Sequence, residues 1–416
     1  MQQNQSENIM LQQNLTHILS DKTKDNPKAM LLNLLSEHGG QTISELCQSM
    51  GYSTPFVTKL IKELMEAGLV RDTGKRDNYA KRAPRIYDLV PDAGYFLGLS
   101  HGSNTMDVAI CDMCGNEVYR ASDSSFVYSD TQMCFGKFVE FILTEIEKSG
   151  IEKSRILQAC VNVGGRVNPA EGKAFSVFTC LELPLAEALS QGLGIETIID
   201  NDSRSMAYGE HLKGCCKGVD DVIFVNLSWG LGIAIFMGGK LCLGKSGFSG
   251  EFGHMHLYAN DILCHCGKAG CLETEVSGRA WQRKVKEALK AGKTSVLSEK
   301  LSHPDGDILQ KDLLEAVRKE DVLAIGILQD IARELGKNLA GIINIFNPEM
   351  LVIGGELSVV SDYLMQPVEM GIKKYSLNLV SADSQIVPSA LKNKAGIIGA
   401  CLMARHKYLN LSLIHI

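Results

Sequence analysis

The hydrophobic and polar positions near the start of the chain alternate between short apolar stripes and turn residues. Residues 1–25 are rich in Gln, Asn, Ser and Lys, and we expect a polar tail there. Asn26-Pro27 combines a capping residue with a proline suited to the first helical turn, and Gly39-Gly40 stops the apolar run that follows. Thr42 and Glu45 have capping-box spacing, which predicts a second short helix.

A third helix is predicted over Thr54–Ala67, followed by two strands, Leu69-Val70-Arg71 and Arg85–Leu89. The apolar residues of this helix recur at helical spacing and are Phe56, Val57, Leu60, Ile61 and Leu64. Three short helices followed by two strands are typical of a winged helix-turn-helix, the DNA-binding domain that we assign to 26–92.

From Tyr95 the pattern changes to that of an α/β protein, with buried strands alternating with helices. A block of three predicted strands occurs twice, as Phe96–Gly102, Met106–Met113 and Val118–Ser122, and then as Val222–Leu227, Ile233–Met237 and Lys240–Leu243. A repeated block predicts two related lobes, each a sheet flanked by helices. Such lobes bind small ligands in the cleft between them and close by a hinge motion.

These patterns give the expected domain boundaries. The first lobe is assigned to 93–215 and the second to 216–408. The second lobe includes a long helix, Ile325–Phe346, the buried strand Met350–Ile353, and C-terminal helices that return to the first lobe. We expect residues 409–416 to be a tail, and we find no recognisable signal in them.

Length and charge refine this organisation. The 416 residues exceed a single-core domain, and 45% hydrophobic with 22% charged residues exclude global disorder. The formal net charge of −6 would repel DNA, so any DNA-binding surface must be local. Across Arg71–Arg85, six basic residues accompany two acidic ones, a net charge of +4. A solvated loop is the simpler explanation, but the position after a helix-turn-helix favours a DNA-binding wing.

The sequence also bears on the cellular compartment. We find no signal peptide at the N-terminus and no apolar run near the ~20 residues that a membrane span needs. The 13 cysteines are an odd number, and several lie in apolar strand-like runs, which favours reduced thiols over a disulfide framework. We expect a cytoplasmic protein without a membrane partner.

The strongest chemical signal is a cluster of cysteines after a histidine. Cys264, Cys266 and Cys271 lie within eight positions, on a loop whose glycines allow tight folding around an ion. With His254 they form a Cys₃His set, which suits a closed, structural Zn²⁺ site. His256 or His265 in place of His254, or buried cysteines without metal, are the alternatives.

The same residues carry a resemblance to a known family. Gly250-Glu251-x-Gly253-His254, followed by Cys264-x-Cys266-Gly267-x-x-Gly270-Cys271-x-Glu273, resembles the signature of the ROK family of bacterial sugar kinases and sugar-responsive repressors. The similarity covers Tyr95–Arg405. The N-terminal winged helix-turn-helix, which the kinases lack, is similar to that of the repressor branch, such as the N-acetylglucosamine and xylose repressors. The resemblance implies an α/β fold, with a two-lobed actin/hexokinase-like (ribonuclease H-like) ROK domain after the winged helix.

The resemblance also implies roles for individual residues. Zinc would be held by His254, Cys264, Cys266 and Cys271. Sugar would be bound by Asn201, Asp202, Glu251, His254 and Glu273, and from the other lobe by Gly164 and Gly165. Asp202 matches the position of the general base of the kinases, whereas in a regulator it would only hydrogen-bond a sugar hydroxyl.

Two departures from the kinase pattern favour a protein without catalytic activity. The first-lobe phosphate loop of the kinases typically reads Asp-x-Gly-Gly-Thr, whereas this chain has Ser100-His101-Gly102-Ser103-Asn104 and therefore lacks the carboxylate that organises Mg²⁺-nucleotide. In the second lobe, Ser228-Trp229-Gly230 places an indole where backbone amides approach phosphate. Gly354-Gly355 does match the adenosine-side motif, or else caps a strand.

The leading hypothesis is a repressor of carbohydrate metabolism that responds to a sugar or sugar phosphate and binds operator DNA as a homodimer or homotetramer. The expected DNA contacts are Thr54, Thr58 and Lys59 near base edges, and Lys62, Lys75, Arg76, Arg82 and Arg85 near phosphates or the minor groove. One alternative is a sugar kinase with a fused DNA-binding domain and Asp202 as its base. A weaker one is a partner-binding protein with an inactive cleft.

Overall fold

This computed structural model describes residues 26–75, 83–101, 105–302 and 307–409. The chain forms two compact units. The first comprises the described residues up to Asp200 together with those from Ala400 onward, and the second runs from Asn201 to Gly399. The domain boundaries at 92/93 and 215/216 remain predictions, and the polar tail predicted at 1–25 lies outside the described residues.

The first unit begins with three helices and a small sheet. The helices are α1 (Pro27–His38), α2 (Ile43–Met50) and α3 (Thr54–Glu66). The strands β1 (Gln41–Thr42), β2 (Val70–Lys75) and β3 (Arg85–Leu89) pair in the order β1-β3-β2. Asn26 accepts hydrogen bonds from two amides of the first turn of α1, and Thr42 and Glu45 form the predicted capping box. The predicted helix-turn-helix and wing strands are therefore confirmed.

Helix α3 is amphipathic, but one of the five apolar residues that recur at helical spacing does not belong to its buried face. Its buried residues are Val57, Leu60, Ile61 and Leu64. Phe56 is 37% exposed, and its ring centroid lies 4.9 Å from that of Tyr52 on the surface. The buried stripe is centred between Val57 and Ile61, which turns Phe56 away from the core.

A five-stranded sheet forms the rest of the first unit. Its strands are β4 (Tyr95–His101), β5 (Met106–Asp112), β6 (Glu117–Asp123), β7 (Ile156–Val163) and β10 (Thr197–Asn201). Their order is β10-β7-β4-β5-β6, and a small hairpin of β8 (Val167–Asn168) and β9 (Lys173–Ala174) follows β7. The apolar faces of α4 (Gln132–Lys148) and α5 (Leu185–Leu193) pack into the core of this sheet.

The second unit repeats this sheet. Its strands are β11 (Val222–Leu227), β12 (Leu231–Met237), β13 (Lys240–Leu241), β14 (Met350–Gly354) and β15 (Gln385–Pro388), in the order β13-β12-β11-β14-β15. In each sheet an antiparallel meander of three strands is extended by two later strands on the side of its first strand. The predicted duplication is therefore confirmed.

Helices surround the second sheet. They are α6 (Asp202–Lys213), α7 (Gly278–Lys290), α8 (Ser298–Ser302), α9 (Gln310–Arg318), α10 (Val322–Phe346), α11 (Ser361–Tyr375) and α12 (Asn378–Asp383). The last helix, α13 (Ala395–Tyr408), begins in the second unit and ends in the first. The long helix α10 buries ten residues, which explains its strong apolar pattern. None of the described helices is long and apolar enough to cross a membrane.

Two helices cross closely in the second unit, where α6 meets the start of α13. A Cβ atom on Gly399 would lie 1.7 Å from the Ser205 carbonyl oxygen, and one on Gly209 would lie 2.4 Å from that of Ala395. Only glycine allows the two backbones to approach this closely.

We therefore expect Gly399→Ala to destabilise the chain by at least ~1–3 kcal/mol, because the added methyl group forces α6 and α13 apart. Thermal unfolding of the full chain measures this change. Gly341→Ala is the matched control, since nothing lies within 4 Å of a Cβ at Gly341 in α10. The control should leave the melting temperature unchanged or raise it slightly. Equal melting temperatures for Gly399→Ala and the unmodified chain would contradict the close crossing.

Candidate functional site

Helix α6 begins with the predicted ligand-binding acid. Asn201 is its N-cap, and the Asn201 side-chain oxygen accepts hydrogen bonds from the amides of Ser203 (3.0 Å) and Arg204 (3.2 Å). The Asn201 amide nitrogen donates to Asp202 Oδ1 at 2.9 Å. Asn201 therefore holds Asp202 in place, and its predicted direct contact with sugar remains a prediction.

Asp202 is half-buried, and its carboxylate accepts hydrogen bonds from the protein. The Ser203 amide donates to its Oδ1 at 2.8 Å, and the side-chain nitrogen of Asn226 lies 3.3 Å from its Oδ2. Burial raises the pKa of the Asp202 carboxyl, although these hydrogen bonds and the charge of Arg204 act in the opposite direction. The sequence analysis missed Asn226, a polar residue at a buried strand position.

Glu273, a buried acid, directly follows the cysteine-rich loop, and its carboxylate contacts the first residue of β12. Its Oε2 accepts a hydrogen bond from the Leu231 amide at 3.0 Å, and its Oε1 lies 2.7 Å from His265 Nδ1. Burial alone would raise the pKa of Glu273, but His265 and the Leu231 amide stabilise the carboxylate enough to lower it. A Cβ on Gly230 would lie 2.7 Å from Oε2, so any side chain at position 230 would displace this carboxylate.

The two acids and the Glu251 loop meet at the same end of one strand pair. Asn226, which contacts Asp202, faces Gly232 across the β11–β12 ladder, and Glu273 binds the amide of Leu231. The loop that carries Glu251 is held there because the Ile233 amide donates to the Gly250 carbonyl at 3.3 Å. The Glu251 side chain is 40% exposed, and its Oε2 lies 3.7 Å from His254 Nε2.

Beside these acids, one histidine and three cysteines form a set able to hold a metal ion. The donor atoms of His254, Cys264, Cys266 and Cys271 all lie within 4.8 Å of one another. Cys264 Sγ is 3.6 Å from His254 Nδ1, and Cys266 Sγ is 3.6 Å from Cys271 Sγ. A tetrahedral Zn²⁺ with bonds of ~2.3 Å to sulfur needs S···S edges of about 3.8 Å, so the set fits such an ion.

The geometry distinguishes the three candidate histidines. His256 Nδ1 lies 3.0 Å from the Ala269 carbonyl oxygen, and His265 Nδ1 faces Glu273. His254 is the histidine whose ring nitrogen lies close to all three cysteine sulfurs. Its Nδ1 faces Cys264, and its Nε2 faces Glu251. His254, His265 and Glu273 form a second group with metal-ligand chemistry. The contact between His265 and Glu273 was not expected from the sequence, although His265 lies between two of the cysteines.

Two further candidates, Gly164 and Gly165, belong to the first unit. They directly follow β7, and Gly165 has a φ of +84°. Their predicted contact with sugar remains a prediction.

The turn between β11 and β12 forms hydrogen bonds with three neighbouring segments of the chain. The Ser228 carbonyl accepts from the Gly278 amide at 2.8 Å, and the Trp229 carbonyl accepts from the Arg279 amide at 3.2 Å. Ser228 Oγ accepts from the Glu356 amide at 2.8 Å and donates to Asn226 at 2.6 Å. These bonds tie the turn to the first residues of α7 and to Glu356.

In the first unit, His101 lies in an aromatic cluster. The ring centroids of Phe126, Tyr128, Phe138 and Phe178 lie 4.9–5.8 Å from that of His101. Burial lowers the pKa of His101 to about 4, so the ring is neutral at physiological pH. The rest of the corresponding kinase loop, 102–104, lies outside the described residues.

The candidate DNA-binding residues that are described lie on exposed surface. Thr54, Thr58, Lys59 and Lys62 lie on the face of α3 opposite its buried stripe, and the side chains of Lys59 and Lys62 are 73% and 80% exposed. Lys75 and Arg85 face each other across the β2–β3 ladder, where Arg85 also forms an ion pair with Asp72. Arg76 and Arg82 lie outside the described residues.

A winged helix-turn-helix followed by a duplicated sheet domain with a buried polar site defines a class of protein that joins a DNA-binding domain to a ligand-binding domain. Residues 96–407 match the ROK family, and residues 25–77 match the MarR family. The chain belongs to the ROK family. It has a MarR-type winged helix-turn-helix followed by an actin/hexokinase-like ROK domain.

Similar proteins include both repressors and kinases. The N-acetylglucosamine repressor of Escherichia coli O157:H7 is 27% identical over 395 residues, which cover 94% of this chain and 95% of that protein. The xylose repressor of Caldicellulosiruptor bescii is 25% identical, with 83% of this chain and 87% of that protein covered. A glucokinase of Streptomyces coelicolor is 32% identical over 272 residues, which cover 62% of this chain and 84% of the kinase.

Solved structures similar to this chain also include both a transcriptional regulator and a kinase. A ROK family transcriptional regulator, described as a homolog of the E. coli MLC protein, matches 92% of this chain and 96% of its own, with a TM-score of 0.74 and 25% identity. A ROK family glucokinase from Streptomyces griseus, in complex with glucose and AMPPNP, matches 75% of this chain and all of its own, with a TM-score of 0.67 and 26% identity.

From the donor geometry we expect the purified chain to contain about one divalent metal ion, and Cys266→Ser to lose it, because serine is a poor replacement for a thiolate ligand. Elemental analysis of the full chain, purified without chelators, measures the metal content. Cys180→Ser, which changes a cysteine outside the cluster, should retain the ion. Equal metal content in the two variants would contradict the assignment.

Proposed function

We propose that this chain is a transcriptional repressor of carbohydrate metabolism that binds operator DNA and responds to a sugar or sugar phosphate. The observation that carries the proposal is the extent of similarity. The N-acetylglucosamine repressor matches nearly the whole chain, including the DNA-binding domain, whereas the glucokinase match covers 62% of it. Loss of enzymatic activity is part of the proposal.

The effector site is built around Asp202, Glu251, His254 and Glu273. These side chains offer acceptors and a ring nitrogen for sugar hydroxyls, and three of them belong to loops attached to the start of β12. A site built to hydrogen-bond hydroxyls discriminates strongly, because an analogue that lacks a hydroxyl leaves buried polar groups unpaired. In this proposal Asn201 orients Asp202, and Gly164 and Gly165 supply backbone contacts to the same sugar.

A structural Zn²⁺ at His254, Cys264, Cys266 and Cys271 would brace this site. The ion would bind through His254 Nδ1, which leaves Nε2 on the side of Glu251. Metal ligation orients a histidine ring, and that orientation in turn determines where its second nitrogen can meet a hydroxyl. Bound zinc would therefore fix the orientation of His254 at the sugar site and would have no role in a reaction.

The DNA-binding domain would place α3 in the major groove. Thr54, Thr58 and Lys59 would lie near base edges, while Lys62, Lys75, Arg76, Arg82 and Arg85 would contact phosphates or the minor groove. One winged helix buries little surface on DNA, so we expect a homodimer or homotetramer on a two-fold symmetric operator.

The alternative, an active sugar kinase with a fused DNA-binding domain, is favoured by Asp202 and by the glucokinase relative. Two observations oppose it. Ser100 stands where the kinases have the carboxylate that organises Mg²⁺-nucleotide. The Ser228-Trp229-Gly230 turn is bonded to the start of α7 and to Glu356. Phosphoryl transfer depends on positioning and charge neutralisation, and both are weakened by these changes.

We expect one member of a sugar panel to raise the melting temperature of the full chain, because a ligand at 100 times its Kd stabilises the folded state by ~2.7 kcal/mol. The panel consists of glucose, N-acetylglucosamine, xylose and the 6-phosphates of the two hexoses. Gly230→Ala should abolish the shift, since its methyl group displaces the Glu273 carboxylate.

Gly326→Ala is the matched control, because a Cβ there meets nothing within 4 Å. It should retain the shift. A panel without any shift would refute the effector proposal. Each sugar is also assayed with MgATP, and sugar-dependent ADP formation that is lost in Asp202→Asn would establish the kinase alternative instead.

The DNA proposal predicts salt-sensitive binding to an operator selected by the wild-type chain from random duplex DNA. Lys62→Ala should weaken binding and reduce the slope of log K against log salt by about 1, the effect of losing one phosphate contact. Lys373→Ala, an exposed lysine on α11 of the second unit, should change neither quantity. Failure to select any sequence would count against a repressor.

A further inference from the structure

Helix α13 carries an arginine that is buried inside the first unit. Arg405 is 2% exposed. Its Nε donates to the Met113 carbonyl at 2.7 Å, and its Nη2 donates to the Ser36 carbonyl at 3.1 Å. Burial of a guanidinium is costly unless it is hydrogen-bonded, so these contacts constrain both carbonyls.

The two carbonyls belong to different parts of the chain. Ser36 lies in the last turn of α1 and therefore in the DNA-binding domain. Met113 directly follows β5 of the ROK-domain sheet. One side chain therefore joins the backbone of α1 to the backbone of the sheet that follows it.

Other contacts around Arg405 strengthen this junction. The Met113 amide donates to the Pro91 carbonyl at 2.8 Å, which holds the linker between β3 and β4 against the same turn. Glu37, next to Ser36, is half-buried. Burial raises the pKa of its carboxyl, while the charges of His38 and Arg405 oppose that rise. The charge of Arg405 therefore also acts on α1.

The other end of α13 packs against the helix that carries the effector acid. Within the second unit, the first residues of α13 approach α6 so closely that glycine is required at Gly399 and Gly209. Helix α6 begins at Asp202. A single continuous helix, Ala395–Tyr408, therefore has Asp202's helix as a neighbour at its start and Arg405 near its end.

From these contacts we infer that Arg405 is a positioning residue that couples effector binding to the orientation of the DNA-binding domain. This inference rests on the function proposed above. A shift of α6 on sugar binding moves α13, and Arg405 transmits the movement to α1 through the Ser36 carbonyl. The planar guanidinium is suited to this role because it presents several donors in fixed directions, whereas a lysine offers one flexible point charge.

The test compares operator binding with and without effector for the full-length wild-type chain, Arg405→Lys and Arg405→Met. The control is Lys407→Met, two residues further along the same helix and exposed. The operator is the selected duplex, and the effector is the panel sugar with the largest thermal shift. In the wild type we expect the sugar to change operator affinity by ~5–150-fold, the usual range of allosteric coupling.

Arg405→Lys and Arg405→Met should each still bind the sugar and still bind the operator. In these variants, however, the logarithm of the fold-change in operator affinity caused by the sugar should be less than about a third of the wild-type value. Lys407→Met should retain the full response. A wild-type response in both Arg405 variants, or an equal loss in Lys407→Met, would overturn the inference while leaving the proposed function intact. Absence of sugar or operator binding in the wild type would overturn the proposed function and this inference with it.

Hydrogen–deuterium exchange of the unmodified chain provides a readout that does not depend on the folding of any variant. Addition of the sugar should change amide exchange in α6, in the last turns of α13 and in α1. Changes in α6 without changes in α1 would show that the DNA-binding domain does not respond through Arg405, and the inference would fail.

Discussion

Two carboxylates, one buried and one half-buried, set the main constraint on the ROK domain of this chain, because a carboxylate withdrawn from water needs hydrogen bonds from the protein itself. Asp202 is solvated by the first turn of α6 and by Asn226, and Glu273 by the Leu231 amide and His265. These partners lie on β11, on β12 and on the cysteine-rich loop. The need to bond both acids therefore draws these elements together and accounts for the glycine at 230, beside Glu273.

The same arrangement explains how a kinase-like domain can serve as a sensor. The acids that would contact sugar hydroxyls are retained, together with a Cys₃His set able to hold the adjoining loop. On the nucleotide side, the turn after β11 is bonded to Gly278, Arg279 and Glu356. Binding of a sugar needs only the acids and the loop beside them, whereas phosphoryl transfer also needs groups that bind and orient the phosphates.

The buried guanidinium of Arg405, near the end of α13, also draws separate elements together through the hydrogen bonds that it needs. Arg405 is compatible with the interior because its guanidinium donates hydrogen bonds to backbone carbonyls, one in the DNA-binding domain and one directly after β5 of the first ROK sheet. The Arg405 side chain thus joins the two elements through directional hydrogen bonds, since its removal leaves the Met113 and Ser36 carbonyls without this partner. Hydrophobic contacts alone would join the same elements with less directional constraint.

Much of this protein was determined by local sequence. The capping box at Thr42 and Glu45 and the three meander strands of each sheet depend on neighbouring residues, so they could be predicted. The spacing of Cys264, Cys266 and Cys271 likewise indicated a metal-ligand set. Tertiary structure alone decided which histidine joins the cysteines, the exposure of Phe56, and the roles of Asn226, His265 and Arg405. Each of these depends on a partner distant in sequence or on which side of an element faces the core, and local spacing does not specify either.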